Sequence, residues 1–196
     1  MSHQSNAQNW AFETKQIHAG WDRDPETGAT SLPIFQTSSY AFANADQAAD
    51  RFGLRELGPI YTRLTNPTNE AVENRIAALE GGVGALLVSS GQAAEALAIL
   101  NIAVAGNNVV ASPSLYGGTV TLLKNTLGRL GIEARFVEDT SDPEAWKALA
   151  DEKTVAFYGE TIPNPKGDIL DIEPIGHGRA EVETVERLGI GCREVW

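Results

Sequence analysis

Between Asn66 and Tyr158, short apolar runs alternate with stretches of helical length, and this alternation constrains the fold more than any other feature of the chain. Ala85-Leu86-Leu87-Val88, Asn108 to Ala111, Ala134 to Val137 and Thr154 to Tyr158 read as strands. The first helix follows Asn66-Pro67-Thr68, with Val72, Ile76 and Leu79 at helical spacing before Gly81-Gly82 ends it. A second runs from the turn Ser89-Ser90-Gly91 to about Val104, and a third from Thr119 to Leu130, closed by Gly131. Asp142-Pro143-Glu144 supplies a cap, a proline and a first-turn acid for a fourth. Strands alternating with helices predict an α/β domain on a mostly parallel sheet with helices on both faces.

The chain ahead of Asn66 reads differently. The opening MSHQSNAQNWAF is polar and aperiodic, and Thr14 to Pro59 is punctuated by Gly20, Pro25, Gly28, Pro33, Gly53 and Gly58. Only Asp46 to Phe52 has a local helical pattern. So long a non-repetitive segment is unusual inside a compact domain, yet Ile34, Phe35, Tyr40 and Phe42 argue against disorder. An arm laid over another surface, such as a partner subunit, fits this composition. The expected organisation is therefore an arm over residues 1–60, the α/β part over 61–175, and a tail over 176–196.

Composition removes several classes of function. The 15 Lys and Arg against 26 Asp and Glu give a net charge of −11, which repels a nucleic-acid backbone. A single cysteine, Cys192, excludes an internal disulfide framework and a cysteine-rich zinc site. The 3 histidines, His3, His18 and His177, lack metal-ligand spacing, so no metal is expected. The longest apolar stretch, Ala93 to Ala105, is broken by Glu95 and Asn101 and falls short of the ~18 apolar residues of a membrane span. With no basic and apolar leader at its start, the chain is expected in the cytoplasm.

Ligands of open α/β sheets sit beyond the carboxyl ends of the strands, which directs attention to the turns. In Ser89-Ser90-Gly91-Gln92, Gly91 lets a ligand approach the backbone, and the amides and dipole of a helix N-terminus favour an anion such as phosphate. The same residues would also cap a helix that binds nothing. Tyr116, followed by Gly117-Gly118, can stack on a planar ligand or serve as a core tyrosine. In Glu160-Thr161-Ile162-Pro163-Asn164-Pro165 two prolines fix the backbone around Asn164 and aim its amide, although turn punctuation explains them too. Arg63 of Tyr61-Thr62-Arg63 offers a planar fork to a phosphate or to a surface carboxylate. Other nucleotide and hydrolase signatures are missing: no G-x-x-x-x-G-K-[ST] loop, no third glycine after Gly82-Val83-Gly84, no G-x-S-x-G.

Taken in order, these strings resemble the Cys/Met metabolism family of pyridoxal-phosphate-dependent enzymes. The matching pieces are Tyr61-Thr62-Arg63 with Asn66-Pro67-Thr68, Ser89-Ser90-Gly91-Gln92-Ala93, Leu115-Tyr116-Gly117-Gly118-Thr119, and Glu160 with Asn164-Pro165. Thr14 to Gly20 and Pro33 to Tyr40 are similar as well, so the resemblance spans about Thr14 to Pro174. Its details are most like the O-acetylhomoserine sulfhydrylase branch, with cystathionine γ-synthase and methionine γ-lyase as close neighbours.

The resemblance implies a truncated aspartate-aminotransferase-like (fold type I) domain with pyridoxal 5′-phosphate as cofactor. By the same resemblance, Ser90 and the amides of Gly91 and Gln92 cup the cofactor phosphate, and Tyr61 and Arg63 reach the phosphate of a neighbouring subunit. Tyr116 stacks on the pyridine ring and helps to move protons as the catalytic side chain, while Asn164 hydrogen-bonds the phenolic oxygen. The implied reaction is γ-replacement in sulfur amino-acid synthesis, in which sulfide or methanethiol displaces acetate from O-acetyl-L-homoserine. Homocysteine or methionine results, from an enzyme that assembles as a homo-oligomeric dimer of dimers. Cystathionine γ-synthase or methionine γ-lyase activity, or a cofactor-binding fragment without activity, is the alternative.

The family also needs a Schiff-base lysine and an aspartate at the pyridine nitrogen. Lys15, Lys124, Lys147, Lys153 and Lys166 all lie outside the family's lysine context. After Ile175 the chain continues Gly176-His177-Gly178-Arg179 into a helix-like charge pattern, without the hydrophobic strand that carries the aspartate. This tail is expected to depart from the family.

Overall fold

A computed structural model describes residues 9–177. The tail beyond His177, with its helix-like charge pattern, and the first eight residues of the polar opening lie outside the described residues. The chain divides into two compact units that meet at Leu87 and Val88.

The second unit holds the sheet. β1 (Asn108–Ala111), β2 (Glu133–Phe136) and β3 (Thr154–Tyr158) are parallel, in the order β2-β1-β3. Val110 pairs with Arg135 on one side and Phe157 on the other. All four residues of β1 are buried, Asn108 included, which is why the apolar Val109-Val110-Ala111 of this central strand does not alternate with polar residues. Its side chains still point to opposite faces. Val109 and Ala111 pack with Ile99 of α4 (Gly91–Ile102), with Ala103 just past its end, and with Leu122, Leu123 and Leu127. Val110 packs on the other face, with Trp146 of α6 (Pro143–Ala148) and Ile175 of α7 (Ile172–His177). Helices therefore cover both faces, as the alternation predicted.

Two predicted elements of this region are corrected. The helix expected over Thr119 to Leu130 begins earlier, as α5 (Gly117–Thr121), and passes into a π-helical turn at Leu122–Leu127. Leu122 and Leu127 are both buried, and five residues apart they share a face in an i→i+5 turn but not in an α-helix. The strand expected at Ala85 to Val88 is absent from the sheet. Its segment has no regular structure, with Leu86 and Leu87 exposed, and the Leu87 N–H donates instead to Glu73 Oε1 at 2.8 Å. A strand exists only where a neighbour receives its backbone groups, and an apolar run does not reveal whether that neighbour is there.

The first unit is built around α3 (Pro67–Glu80), with Asn66 accepting the Thr68 N–H as its cap, Pro67 in its first turn and left-handed Gly81 at its end. α2 (Ala45–Phe52) is capped in the same way by Asn44. α1 (Phe12–His18) is a helix where the sequence predicts irregular chain. It has no side-chain cap and no buried residue of its own, and its end is held by α3. Gly20 adopts φ +85°, where an added Cβ would lie 2.1 Å from Ala71 O, and Arg75 Nε donates to Ala19 O at 2.7 Å.

The amino ends of the strands are tied by a polar cluster. Asn108 Nδ2 donates to Asp151 Oδ1 at 2.8 Å, the Thr154 hydroxyl donates to Asn108 Oδ1 at 2.7 Å, and Arg135 pairs with Asp151 Oδ2 at 2.8 Å. The Arg135 bond above all, and then those from Asn108 and the Lys153 N–H, hold the Asp151 carboxyl down to about 2 from its ordinary 3.8. A depressed carboxylate contributes stability that is complete above its unfolded value and lost as pH falls through its folded one. Urea unfolding should accordingly show stability declining between about pH 4 and pH 2, with a shallower decline in Asp151→Asn. An identical slope in the two proteins would disprove the coupling.

Candidate functional site

The crossover from β1 to β2 runs through the face covered by α5 and the π turn, and that from β2 to β3 through the face covered by α6. The strand order reverses between β1 and β3, so their carboxyl ends flank the position where doubly wound sheets bind ligands. Two turns meet there.

The turn after β1 continues the sheet for one step, the Ser112 N–H donating to Tyr158 O at 2.9 Å. Ser112 Oγ accepts the Ser114 N–H at 3.0 Å, and the chain then reaches Tyr116, the residue before α5. No side chain caps α5. The N–H of Tyr116 itself donates, at 2.8 Å, to Oε1 of Glu160, a carboxylate only 3% exposed. The Tyr116 ring is 51% exposed and lies over Gly118, where an added Cβ would stand 2.5 Å from ring carbon Cε1. A side chain at 118 would therefore displace the ring.

The N-terminus of α4 stands beside this turn. Ser90 caps it, its hydroxyl accepting the Ala93 N–H at 3.1 Å, so the amides of Gly91 and Gln92 precede the first bonded turn. A Cβ at Gly91 would meet nothing within 4 Å, which leaves room for an anion against the backbone. The Gln92 side chain turns the other way, Nε2 donating to Glu95 Oε2 at 2.8 Å. Glu95 also accepts the hydroxyl of fully buried Thr119, at 3.1 Å and 3.2 Å to its two oxygens. Burial pushes the Glu95 carboxyl above its ordinary value; hydrogen bonds from Thr119 and Tyr158 oppose this, and repulsion from Glu160 adds to it.

The turn after β3 carries Asn164, exposed, with a cis bond to Pro165. It is closed by Gly167 N–H to Pro163 O at 2.7 Å and by Leu170 N–H to Thr161 O at 3.0 Å. It is also tied to the first turn: the Ser114 hydroxyl donates to Asp168 Oδ2 at 2.8 Å, and Lys166 Nζ donates to Ser114 Oγ at 3.2 Å.

Tyr61 and Arg63 belong to the first unit. Ser39 and Tyr61 form an antiparallel bridge, flanked by the Thr62 N–H to Ser38 O bond at 3.0 Å, and Asn66 Nδ2 donates to Phe35 O at 3.0 Å. The Arg63 guanidinium lies 5.7 Å from the centre of the Tyr61 ring, both side chains exposed. The predicted residues therefore form two groups, this pair in one unit and Ser90, Gly91, Gln92, Tyr116 and Asn164 in the other. Sequence reasoning missed Glu95, Thr119, Ser114 and Asp168, and left Glu160 without a partner. Glu95 had one visible signal, a lone acid inside the apolar run from Ala93 to Ala105.

Comparison with known proteins gives the family of the chain. The model of the Cys/Met metabolism PLP-dependent enzyme family matches residues 13–185. The chain belongs to this pyridoxal-phosphate-dependent family. An O-acetyl-L-homoserine sulfhydrylase of Corynebacterium glutamicum is 56% identical over 171 residues, which is 87% of this chain and 39% of the relative. A Campylobacter jejuni structure described as an O-acetylhomoserine (thiol)-lyase, carrying a pyridoxyl-lysine phosphate, superposes with a TM-score of 0.85 at 41% identity over 90% of this chain and 43% of that one. The Lactobacillus plantarum cystathionine gamma-lyase follows with a TM-score of 0.78 at 34% identity, covering 89% and 43%. The chain thus spans about two fifths of the length of the relatives it matches. The aspartate-aminotransferase-like class of fold expected from the resemblance is the fold of these neighbours.

The contact between the Tyr116 ring and Gly118 is directly testable. A half-exposed ring yields more readily than backbone, so Gly118→Ala should change stability by less than about 1 kcal/mol. The same substitution should shift the Tyr116 ring resonances, and unchanged ring shifts would contradict the packing.

Proposed function

We propose that these residues are the front part of the cofactor site of an enzyme that performs γ-replacement on O-acetyl-L-homoserine. The net reaction breaks the bond from Cγ to the acetate oxygen and forms one from Cγ to sulfur. Sulfide gives homocysteine and acetate; methanethiol gives methionine and acetate. The observation that carries this reading is the ring of Tyr116 laid over Gly118 beside the open N-terminus of α4. A flat ring and an anion site side by side suit a planar ligand that bears a phosphate.

In this reading the amides of Gly91 and Gln92, with Ser90, would hold the phosphate of pyridoxal 5′-phosphate. Tyr116 would lie against the pyridine ring and pass protons from its hydroxyl, and Asn164 would donate to the phenolic oxygen. Bound there, the cofactor supplies an electron sink for negative charge developing beside the substrate amino group. Tyr61 and Arg63 would reach the phosphate held by a second copy of the chain, which gives the segment before them the role of an arm over a partner subunit. A homo-oligomer, a dimer of dimers in the cytoplasm, belongs to the same proposal. Among the solved structures, 41% identity to an O-acetylhomoserine (thiol)-lyase against 34% to a cystathionine gamma-lyase supports sulfide as the co-substrate.

Titration with pyridoxal 5′-phosphate, followed by absorbance and tryptophan fluorescence, tests the site. Saturable binding that inorganic phosphate competes away is expected, and no binding would overturn the proposal. Ser90→Ala removes a helix cap and should cost about 1 kcal/mol of stability, with weaker phosphate binding. Borohydride treatment of the stoichiometric complex should leave no pyridoxyl mass on any of the five lysines, whose sequence contexts all differ from that of the family lysine. Turnover of O-acetyl-L-homoserine with sulfide, in preference to cystathionine or methionine, tests the choice of substrate.

A further inference from the structure

We infer that Glu160 and Glu95 are positioning residues, a pair of carboxylates that brace the Tyr116–Thr119 segment from both ends and so set the plane of the Tyr116 ring. This rests on the cofactor reading above and extends it to residues that do not face the ligand.

Glu160 braces the first end. It lies two residues beyond β3, yet its carboxylate accepts the backbone N–H of the residue that ends the turn after β1. One buried side chain therefore joins the carboxyl ends of the two strands that flank the binding position. It is also only four residues from Asn164, so the same bond fixes the spacing between the two proposed ring contacts. A carboxylate 3% exposed is costly to bury unless it is bonded, and a neutral Ser or Asn would cap α5 at less expense. What Glu160 provides instead is a strong, charge-assisted hold on the amide nitrogen of Tyr116.

Glu95 braces the other end. Thr119, fully buried, donates its hydroxyl to both Glu95 oxygens, and Gln92 donates its side-chain amide to one of them. Glu95 thereby joins α4 to α5. Between the two braces, Gly118 has no Cβ and the ring settles onto its backbone. A segment of four residues, held at both ends and smooth in the middle, gives the ring one orientation. Glu160 holds the backbone of Tyr116 and Glu95 the hydroxyl of Thr119, so both act through the segment that carries the ring.

The test compares two ligands on the 196-residue chain: pyridoxamine 5′-phosphate, which has ring and phosphate, and inorganic phosphate, which has no ring. Glu160→Ala should weaken pyridoxamine 5′-phosphate about tenfold, the size of a lost bond to a charged group. It should also diminish the circular dichroism induced in the bound ring, while inorganic phosphate binds within about twofold of the unmodified chain. Glu160→Gln keeps an oxygen for the Tyr116 N–H but not the charge, and should restore part of both signals. Thr119→Val keeps the shape of the side chain but loses the hydroxyl bond to Glu95, and should show a smaller loss confined to the ring ligand. It decides the matter if Glu160→Ala does not fold.

Equal weakening of both ligands would reduce the braces to general stability and overturn their positioning role. Unchanged binding of both would overturn it as well. Failure of the unmodified chain to bind pyridoxamine 5′-phosphate would overturn the cofactor reading itself, a result distinct from the other two.

Discussion

β1 is the central strand of a three-stranded parallel sheet, and the candidate site follows from that position. With β2 and β3 on either side and helices over both faces, the strand has no exposed surface along its length and only its end is left for chemistry. Two turns leave the sheet next to each other at that end, the chain having crossed to opposite faces on its way to each. Residues 44 apart in sequence, Tyr116 and Glu160, become hydrogen-bonded neighbours there. The cost of burying a carboxylate is offset by the bond it makes, and that bond makes the two turns one surface.

Much of this was legible in the sequence because it is local. Asn108 to Ala111 and Thr154 to Tyr158 are strands as read, and Asn66-Pro67 and Asp142-Pro143 begin helices as their capping chemistry indicated. The turns singled out for ligand chemistry lie at the carboxyl ends of strands and at a helix N-terminus. What could not be read depends on partners far away in the chain. Ala85 to Val88 has the apolar content of a strand but no neighbour among the described strands. The π turn depends on which leucines the sheet face demands, and α1 on a helix more than fifty residues later. Glu95 reads as an interruption and Glu160 as a carboxylate at a buried edge, because nothing local announces which distant turn each one holds.

The residues with proposed roles therefore differ in kind. Ser90 and Gly91 would act through backbone geometry fixed by their own helix, which a short motif can announce. Tyr116 acts through an orientation imposed from outside, by Glu160 behind it and Gly118 beneath it. Tyr61 and Arg63 are arranged by a third means, a bridge to Ser39 and the bonds of Asn66 to the preceding segment, all within the first unit. A family pattern names all of these residues together. The physical reasons for their placement are separate.

The two margins of the sheet differ in a way that bears on how the domain meets other polypeptide. β2 carries Glu133 and Arg135, ion-paired at 2.9 Å, and Lys124 stands 4.7 Å over the Phe136 ring. Charge on an outer strand discourages a stray strand from adding to it. β3, Thr-Val-Ala-Phe-Tyr, has no charged residue along its length. Among the described strands, then, one margin of the sheet carries the charge that discourages stray pairing and the other does not.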